Sequence, residues 1–273
     1  KLVEDFKKSL PFLLTISQEK AVLEIIKDIK SPSRMNRLLQ GDVGSGKTIV
    51  ILLATIFIVS TGAQVTLMVP TEVLAIQHFK SFKVFLKSLS FEIILFTGGD
   101  KGKEREKKLK LIESGEAKII IGTHSLFQKK VNFKNLKLAV IDEQHKFGVI
   151  QRQSLEKKGK LNTIIMSATP IPRSLALTVY GDKDLTLLNE KPKDRPSIET
   201  FIIPSSKIDR LLERIKRDLE FGFQTYWICP LIEQSEKIDL SNSIERFDFL
   251  SKALSNFKVG LIHGKMSPEE KEY

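Results

Sequence analysis

The chain has a single cysteine, Cys229, among 273 residues. One thiol excludes an intrachain disulfide framework and any zinc site of clustered cysteines, and it fits a reducing, cytoplasmic setting. Long apolar runs are missing too. A membrane-spanning helix needs about 20 predominantly apolar residues. The longest candidate, Ile49 to Val59, is shorter and carries Thr55. The opening Lys1-Leu2-Val3-Glu4-Asp5-Phe6 is charged and amphipathic, unlike a signal peptide. Acidic charge is in deficit: 44 Lys+Arg stand against 33 Asp+Glu, a net +11. That balance favours a polyanionic partner, and it equally fits a Lys- and Ile-rich composition whose lysines are only solvated. No Asn-Lys-x-Asp guanine motif and no internal repeat occur. With 41% hydrophobic and 28% charged residues, the chain is globular, with length for one large domain or two smaller ones.

What is present is organised around Gly41-Asp42-Val43-Gly44-Ser45-Gly46-Lys47-Thr48, which reads G-x-x-x-x-G-K-[ST]. It follows the apolar Leu38-Leu39 and opens into Ile49-Val50-Ile51-Leu52-Leu53-Ala54, the strand–loop–helix setting of a phosphate-binding loop. Glycines let several N–H groups converge on one spot, and the helix start adds its positive dipole end. Lys47 is the candidate for the β- and γ-phosphates and Thr48 for Mg²⁺. A chance glycine-rich turn is the plain alternative. Eight matching positions with correct flanks favour a nucleoside triphosphate site.

Around this loop the chain alternates apolar runs with helical stretches. The runs are Leu38-Leu39, Val65 to Val69, Glu92 to Phe96, Lys118 to Ile121, Leu138 to Asp142 and Thr163 to Met166. They are continuous, as strands covered on both faces are. Helices are expected at Val3 to Leu10, ended by Pro11, and at Gln18 to Lys30, capped by Thr15 or Ser17. Further helices are expected at Thr48 to Ser60, Val73 to Ser88, Lys101 to Ser114 and Ser174 to Tyr180. The order predicts an α/β fold with a parallel sheet, ligands at the carboxyl ends of its strands. Residues 189–199 read as a linker, with Pro192 and Pro196 in a polar stretch. They separate a first domain, 1–188, from a second, 200–273. There strands are expected at Thr200 to Ile203, Thr225 to Cys229 and Lys258 to Ile262, with helices at Lys207 to Glu220 and Ile244 to Leu254. Ser267-Pro268 starts another helix that stops within its first turns, so the chain reads as a fragment with an unfinished second domain.

Asp142-Glu143-Gln144-His145 closes an apolar strand. Adjacent carboxylates repel and need solvation or a cation. Beside a phosphate loop, Asp142 is the candidate Mg²⁺ ligand and Glu143 the base for an in-line attacking water. Gln18 offers both a donor and an acceptor that match an adenine edge, although surface glutamine is common. Phe12 is a core residue or a stacking partner for the base. Ser167 and Thr169 cap a local turn or link the γ-phosphate to polymer binding, with His145 as their partner or as a structural histidine.

Gly-Asp-Val-Gly-Ser-Gly-Lys-Thr at 41–48, Asp-Glu-Gln-His at 142–145 and Ser-Ala-Thr-Pro at 167–170 resemble, in this order, motifs I, II and III of superfamily 2 helicases. Leu10-Pro11-Phe12-x-Leu14-Thr15-x-x-Gln18, Asp142 to Val149, Thr169 to Thr178, Pro230-Leu231-Ile232-Glu233 and Leu261-Ile262-His263-Gly264 narrow the resemblance to the bacterial RecG family of branch-migrating DNA helicases. The transcription-repair coupling translocases are similar, and a duplex DNA translocase that displaces RNA polymerase without regressing forks is the alternative function this likeness implies. Those relatives usually carry Asp-Glu-Glu-His where this chain has Gln144, and more often Arg where it has Lys146. The resemblance implies two RecA-like domains that hold ATP between them and track along duplex DNA in the bacterial cytoplasm. It further implies backbone contacts to DNA from Pro70, Thr71 and Gln77, from Gly98 and Gly99, and from Thr123 and His124. The family's wedge domain would precede Lys1 and its later motor motifs would follow Tyr273. An arginine finger is worth roughly 10³–10⁵ in rate, so the fragment alone is expected to be a poor ATPase and no helicase. An ATP-switched DNA-binding module is the alternative from another class, and intact Lys47, Asp142 and Glu143 speak against it.

Overall fold

The structure is a computed structural model that describes residues 2–128, 130–142, 161–169, 184–190, 198–229, 236–264, 266 and 270. The chain divides into two compact units, Lys1–Pro196 and Ser197–Tyr273.

The first unit carries α1 (Leu2–Ser9), α2 (Ile16–Lys30), β1 (Asn36–Gly41), α3 (Lys47–Val59), β2 (Gln64–Met68), α4 (Glu72–Phe85), β3 (Glu92–Phe96), α5 (Gly102–Ser114), β4 (Ala117–Gly122), β5 (Leu136–Asp142), β6 (Asn162–Ser167) and β7 (Asp184–Leu188). The strands form one sheet in the order β3-β4-β2-β5-β6-β1-β7, and every pairing is parallel. All six expected strands form. The seventh, β7, escaped because Asp184-Leu185-Thr186-Leu187-Leu188 is an edge strand with an exposed, alternating side. That alternation differs from the continuous apolar runs of the other strands.

Local chemistry explains the helix starts. Thr15 caps α2 through a capping box: its hydroxyl accepts from the Gln18 N–H, and the Gln18 side chain accepts from the Thr15 N–H. Thr71 caps α4 by accepting from the Leu74 N–H. Helix α3 is apolar on all sides and has ten buried residues, because it lies between the sheet and the outer helices α1 and α2. One face of the sheet packs under α1 to α4, and at β3 and β4 the other face holds Ile112 of α5 against Phe96 and Ile120. At the amino ends of the strands, buried Arg37 of β1 meets Glu24 and Asp28 of α2 and Thr186 of β7, tying three elements together.

The second unit has α6 (Ile208–Glu220) and α7 (Glu236–Ala253), joined by a cluster of Leu212, Ile215, Leu250 and Leu254 against which Trp227 packs. The three strands expected here do not form: 201–204, 223–229 and 258–263 are irregular. The reason is pairing. Apolar runs report burial, but a strand also needs a neighbour's backbone at about 4.8 Å. Ile202 is 98% exposed and Ile228 is 85% exposed, so these runs are not covered on both faces. The helices expected at Ser174 to Tyr180 and after Ser267 lie outside the described residues. Among the described residues no helix is long and apolar enough to cross a membrane.

Candidate functional site

Because all strands are parallel, the candidate residues that follow β1 to β6 lie at one end of the sheet, the edge formed by the carboxyl ends of the strands. β1 delivers the phosphate loop. Gly41 leaves the sheet where a Cβ would stand 2.9 Å from the Cβ of Leu188 and 2.4 Å from the hydroxyl of Ser45, so no other residue fits. Gly46 has φ +84°, the left-handed region that disfavours side chains. It sits at the cap position of α3, which has no side-chain cap. The first N–H groups of a helix lack intrahelical partners, so this start is left for an anion. Lys47 folds back over the loop, its Nζ donating to the carbonyls of Gly41 at 2.6 Å and Asp42 at 3.1 Å. The Val43 N–H donates to Asp42 Oδ1 at 2.8 Å, and the Ser45 N–H donates to the Asp42 carbonyl at 3.0 Å. Gly44 forms the exposed tip, and Thr48 is half-buried in the first turn of α3.

Gln18 braces the loop from behind. It is buried, and its Nε2 donates to the Ser45 carbonyl at 2.9 Å while its Oε1 accepts from the Thr15 N–H at 2.9 Å. A Cβ on Gly46 would fall 2.2 Å from that Nε2. Gly46→Ala is therefore expected to displace the brace and to strain the loop, at roughly 1–3 kcal/mol for a non-glycine residue held there. Nucleotide affinity should fall about tenfold or more; equilibrium binding of a fluorescent ATP analogue checks it. Phe12 lies 44% exposed, outside the core.

Asp142 ends β5, half-buried. The sheet order sets β6 between β5 and β1, so two strand spacings, about 10 Å, separate the Asp142 strand end from the loop's strand. Thr48 and Asp142 are two hard oxygen donors, a set suited to Mg²⁺ that takes its remaining ligands from phosphate and water. Among the described residues no group of three or more His, Cys, Asp or Glu offers an all-protein metal cage. Glu143, Gln144 and His145 lie outside the described residues. On β6, the Ser167 hydroxyl lies 3.0 Å from the Thr169 hydroxyl. In register beside Ser167 is Gln40, buried, with its Oε1 unpartnered among the described residues.

The sequence-derived DNA candidates fall on the other half of this edge. Pro70 and Thr71 follow β2, and Gln77 is exposed on α4. Gly98 and Gly99 are exposed after β3, but the Gly99 N–H donates to Glu72 Oε1 at 3.1 Å. After β4, His124 is exposed, whereas the Thr123 side chain is buried, its hydroxyl 3.3 Å from that of Ser125. The adjoining lysine-rich helix α5 is partly neutralised: Lys108 pairs with Asp100 and Glu104. Burial works against its ammonium, and those two carboxylates outweigh it, so its pKa is raised.

Sequence reasoning missed Glu72, Gln40 and His78. His78 of α4 places Nε2 3.6 Å from Asp142 Oδ2. Its only signal in the sequence is its place next to Gln77, two helical turns after Thr71.

A parallel sheet with a phosphate loop after its first strand and an acidic strand end two positions away in the sheet defines a RecA-like P-loop α/β domain. The profile of the DEAD/DEAH box helicase family matches residues 15–178, more than half of the chain, and the chain belongs to that family. It is 44% identical over 274 residues to the ATP-dependent DNA helicase RecG of Thermotoga maritima, covering 100% of this chain and 35% of the relative. To the protein of that name from Bacillus subtilis it is 46% identical over 269 residues, covering 98% and 39%. The chain thus spans little more than a third of the curated relatives it matches. A solved structure of RecG bound to a three-way DNA junction superposes with a TM-score of 0.81 at 40% identity, over 99% of this chain and 35% of that one. The structure of Mss116p bound to ssRNA and AMP-PNP, at 17% identity and TM-score 0.68, shares the fold.

Proposed function

We propose that the protein carrying this chain is an ATP-driven DNA motor that remodels branched DNA, such as stalled forks and junctions, in recombination and repair. Residues 1–188 are its first motor domain, 189–199 the linker and 200–273 the start of the second. The observation that carries the reading is the division of one strand-end edge. β1, β6 and β5 bring the phosphate loop, Ser167 and Asp142 to one half, and β2, β4 and β3 bring Pro70-Thr71, Thr123-His124 and Gly98-Gly99 to the other. The likeness to RecG over nearly the whole chain supports it.

In this mechanism the start of α3 and Lys47 bind the β- and γ-phosphates, with the ammonium moving from the loop carbonyls to the phosphate oxygens. Thr48 and Asp142 would hold Mg²⁺, which when bound would neutralise phosphate charge. Glu143 accepts the proton of the attacking water. Gln18 uses its remaining amide capacity on the adenine edge, and the exposed Phe12 ring stacks on the base. His145, Ser167 and Thr169 relay the state of the γ-phosphate to the DNA half. Pro70, Thr71, Gln77, Gly98, Gly99, Thr123 and His124 contact the sugar-phosphate backbone and so position DNA without reading its sequence. For Gly99 this requires both Glu72 and the Thr97 hydroxyl to release its N–H. Thr123 serves through its backbone, since its hydroxyl is buried.

The test is ATP hydrolysis by the whole protein with no DNA, linear duplex and a three-way junction at one fixed salt concentration. Hydrolysis that rises with DNA, most with the junction, is expected. Hydrolysis indifferent to DNA overturns the reading.

A further inference from the structure

Among the described residues, a contact joins the two halves: His78, which lies in no motif, meets Asp142. β2 and β5 are neighbours in the sheet. Helix α4 leaves β2 through Thr71 and carries His78 to the end of β5. There Nε2 lies 3.6 Å from Asp142 Oδ2, and the two side chains are only 14% and 15% exposed. We propose that His78 is a positioning residue: it fixes the Asp142 carboxylate for the metal and makes α4 the mechanical link between the DNA-facing turn at Thr71 and the metal site. The proposal rests on the DNA-motor reading above.

Three physical points support it. First, a carboxylate at a strand end has free rotation about its side-chain bonds, and a metal-binding carboxylate is normally held by a hydrogen-bond partner. Among the described residues, the His78 ring is the partner recorded for Asp142. Second, 3.6 Å exceeds a direct hydrogen bond, which runs to about 3.2 Å. Hydrogen bonds in catalytic sites commonly tighten only in the loaded complex, and a small rotation of either ring or carboxylate closes this gap. With its ring proton on Nε2, His78 can donate to the Asp142 carboxylate. Third, α4 suits a link. It is a continuous helix of 14 residues, anchored on the sheet by buried Ala75 and Phe82. Thr71 and His78 are separated by seven residues, about 10 Å along the axis. A shift of the helix start on phosphate is therefore felt at His78 as a rigid displacement rather than absorbed in a loop.

The test uses the whole protein, wild type, His78→Ala and His78→Gln. The readout is binding of a fluorescent, non-hydrolysable ATP analogue titrated with Mg²⁺, with and without three-way-junction DNA; no turnover is needed. His78→Ala is expected to raise the Mg²⁺ concentration at half-saturation about tenfold or more, the scale of losing the partner of a metal-binding side chain. His78→Gln keeps an N–H near the Nε2 position and should recover most of it. DNA should lower the half-point in wild type and not in His78→Ala, while both variants keep wild-type DNA affinity in the absence of nucleotide. A wild-type Mg²⁺ dependence in His78→Ala overturns the proposal. So does a His78→Gln as impaired as His78→Ala, which marks packing alone, and so does an undiminished DNA shift in His78→Ala. Wild-type nucleotide binding that ignores both Mg²⁺ and DNA overturns the motor reading instead.

Discussion

Glu143→Gln in the whole protein is expected to lower DNA-stimulated ATP turnover by about 10²- to 10⁴-fold, the range that a positioned general base contributes. The substitution keeps the side chain's size and removes its proton-accepting carboxylate. ATP and Mg²⁺ binding should persist, because in the proposed mechanism the phosphates and the metal are assigned to the phosphate loop and Asp142, not to Glu143. Turnover and binding thus separate. The neighbouring Asp142→Asn should instead weaken Mg²⁺-dependent binding as well as turnover. The check is steady-state hydrolysis alongside equilibrium binding of a fluorescent ATP analogue at several Mg²⁺ concentrations. Turnover unchanged in Glu143→Gln would mean that another group takes the proton.

The fold of the first unit was largely legible because its signals are local and redundant. Ile119-Ile120-Ile121 and Leu138-Ala139-Val140 are short β-branched and apolar runs of the kind strands covered on both faces carry, and Thr15 and Thr71 announce the helices they cap. β7 was less legible, because an edge strand keeps one side wet and its Leu187 is 43% exposed. The second unit shows the opposite error. Thr225 to Cys229 has strand-like residues, but composition cannot supply a pairing partner.

The site divides the same way. A phosphate loop is legible since its backbone geometry dictates residue types at fixed spacing: a Cβ at Gly41 or Gly46 would stand too close to its neighbours, and Gly44 and Gly46 both have positive φ. Contacts set by strand order are not legible. Nothing in the sequence says that β2 will lie beside β5, and with that unknown, His78 and Asp142, 64 positions apart, have no reason to be considered together. Gln40 and Ser167 are likewise joined only by register. Gln18 illustrates a third case: its residue type points to a ligand contact, while its burial and its bonds to Thr15 and Ser45 show that it supports the loop.

Lys47→Ala is expected to weaken ATP binding about 10- to 100-fold and to lower hydrolysis further still. A hydrogen bond to a charged group is worth about 1.5–3 kcal/mol, and the ammonium can make more than one to adjacent phosphate oxygens. The rate loses more than the affinity because negative charge shifts between those oxygens in the transition state, where a preorganised donor is worth about 10²–10³. Folding should be little affected. In this conformation Lys47 donates to the carbonyls of Gly41 and Asp42; Lys47 is only half-buried and Asp42 is exposed, so water can replace the ammonium there. That separates Lys47→Ala from Gly46→Ala, which damages the loop and its Gln18 brace and should cost stability as well as affinity. Lys47→Arg should not rescue, since a planar guanidinium cannot replace a compact ammonium between the loop and two phosphates. Thermal unfolding and ATP-analogue binding, measured together on the whole protein, decide it. Wild-type affinity in Lys47→Ala would reduce Gly41 to Thr48 to a turn that happens to look like a phosphate loop.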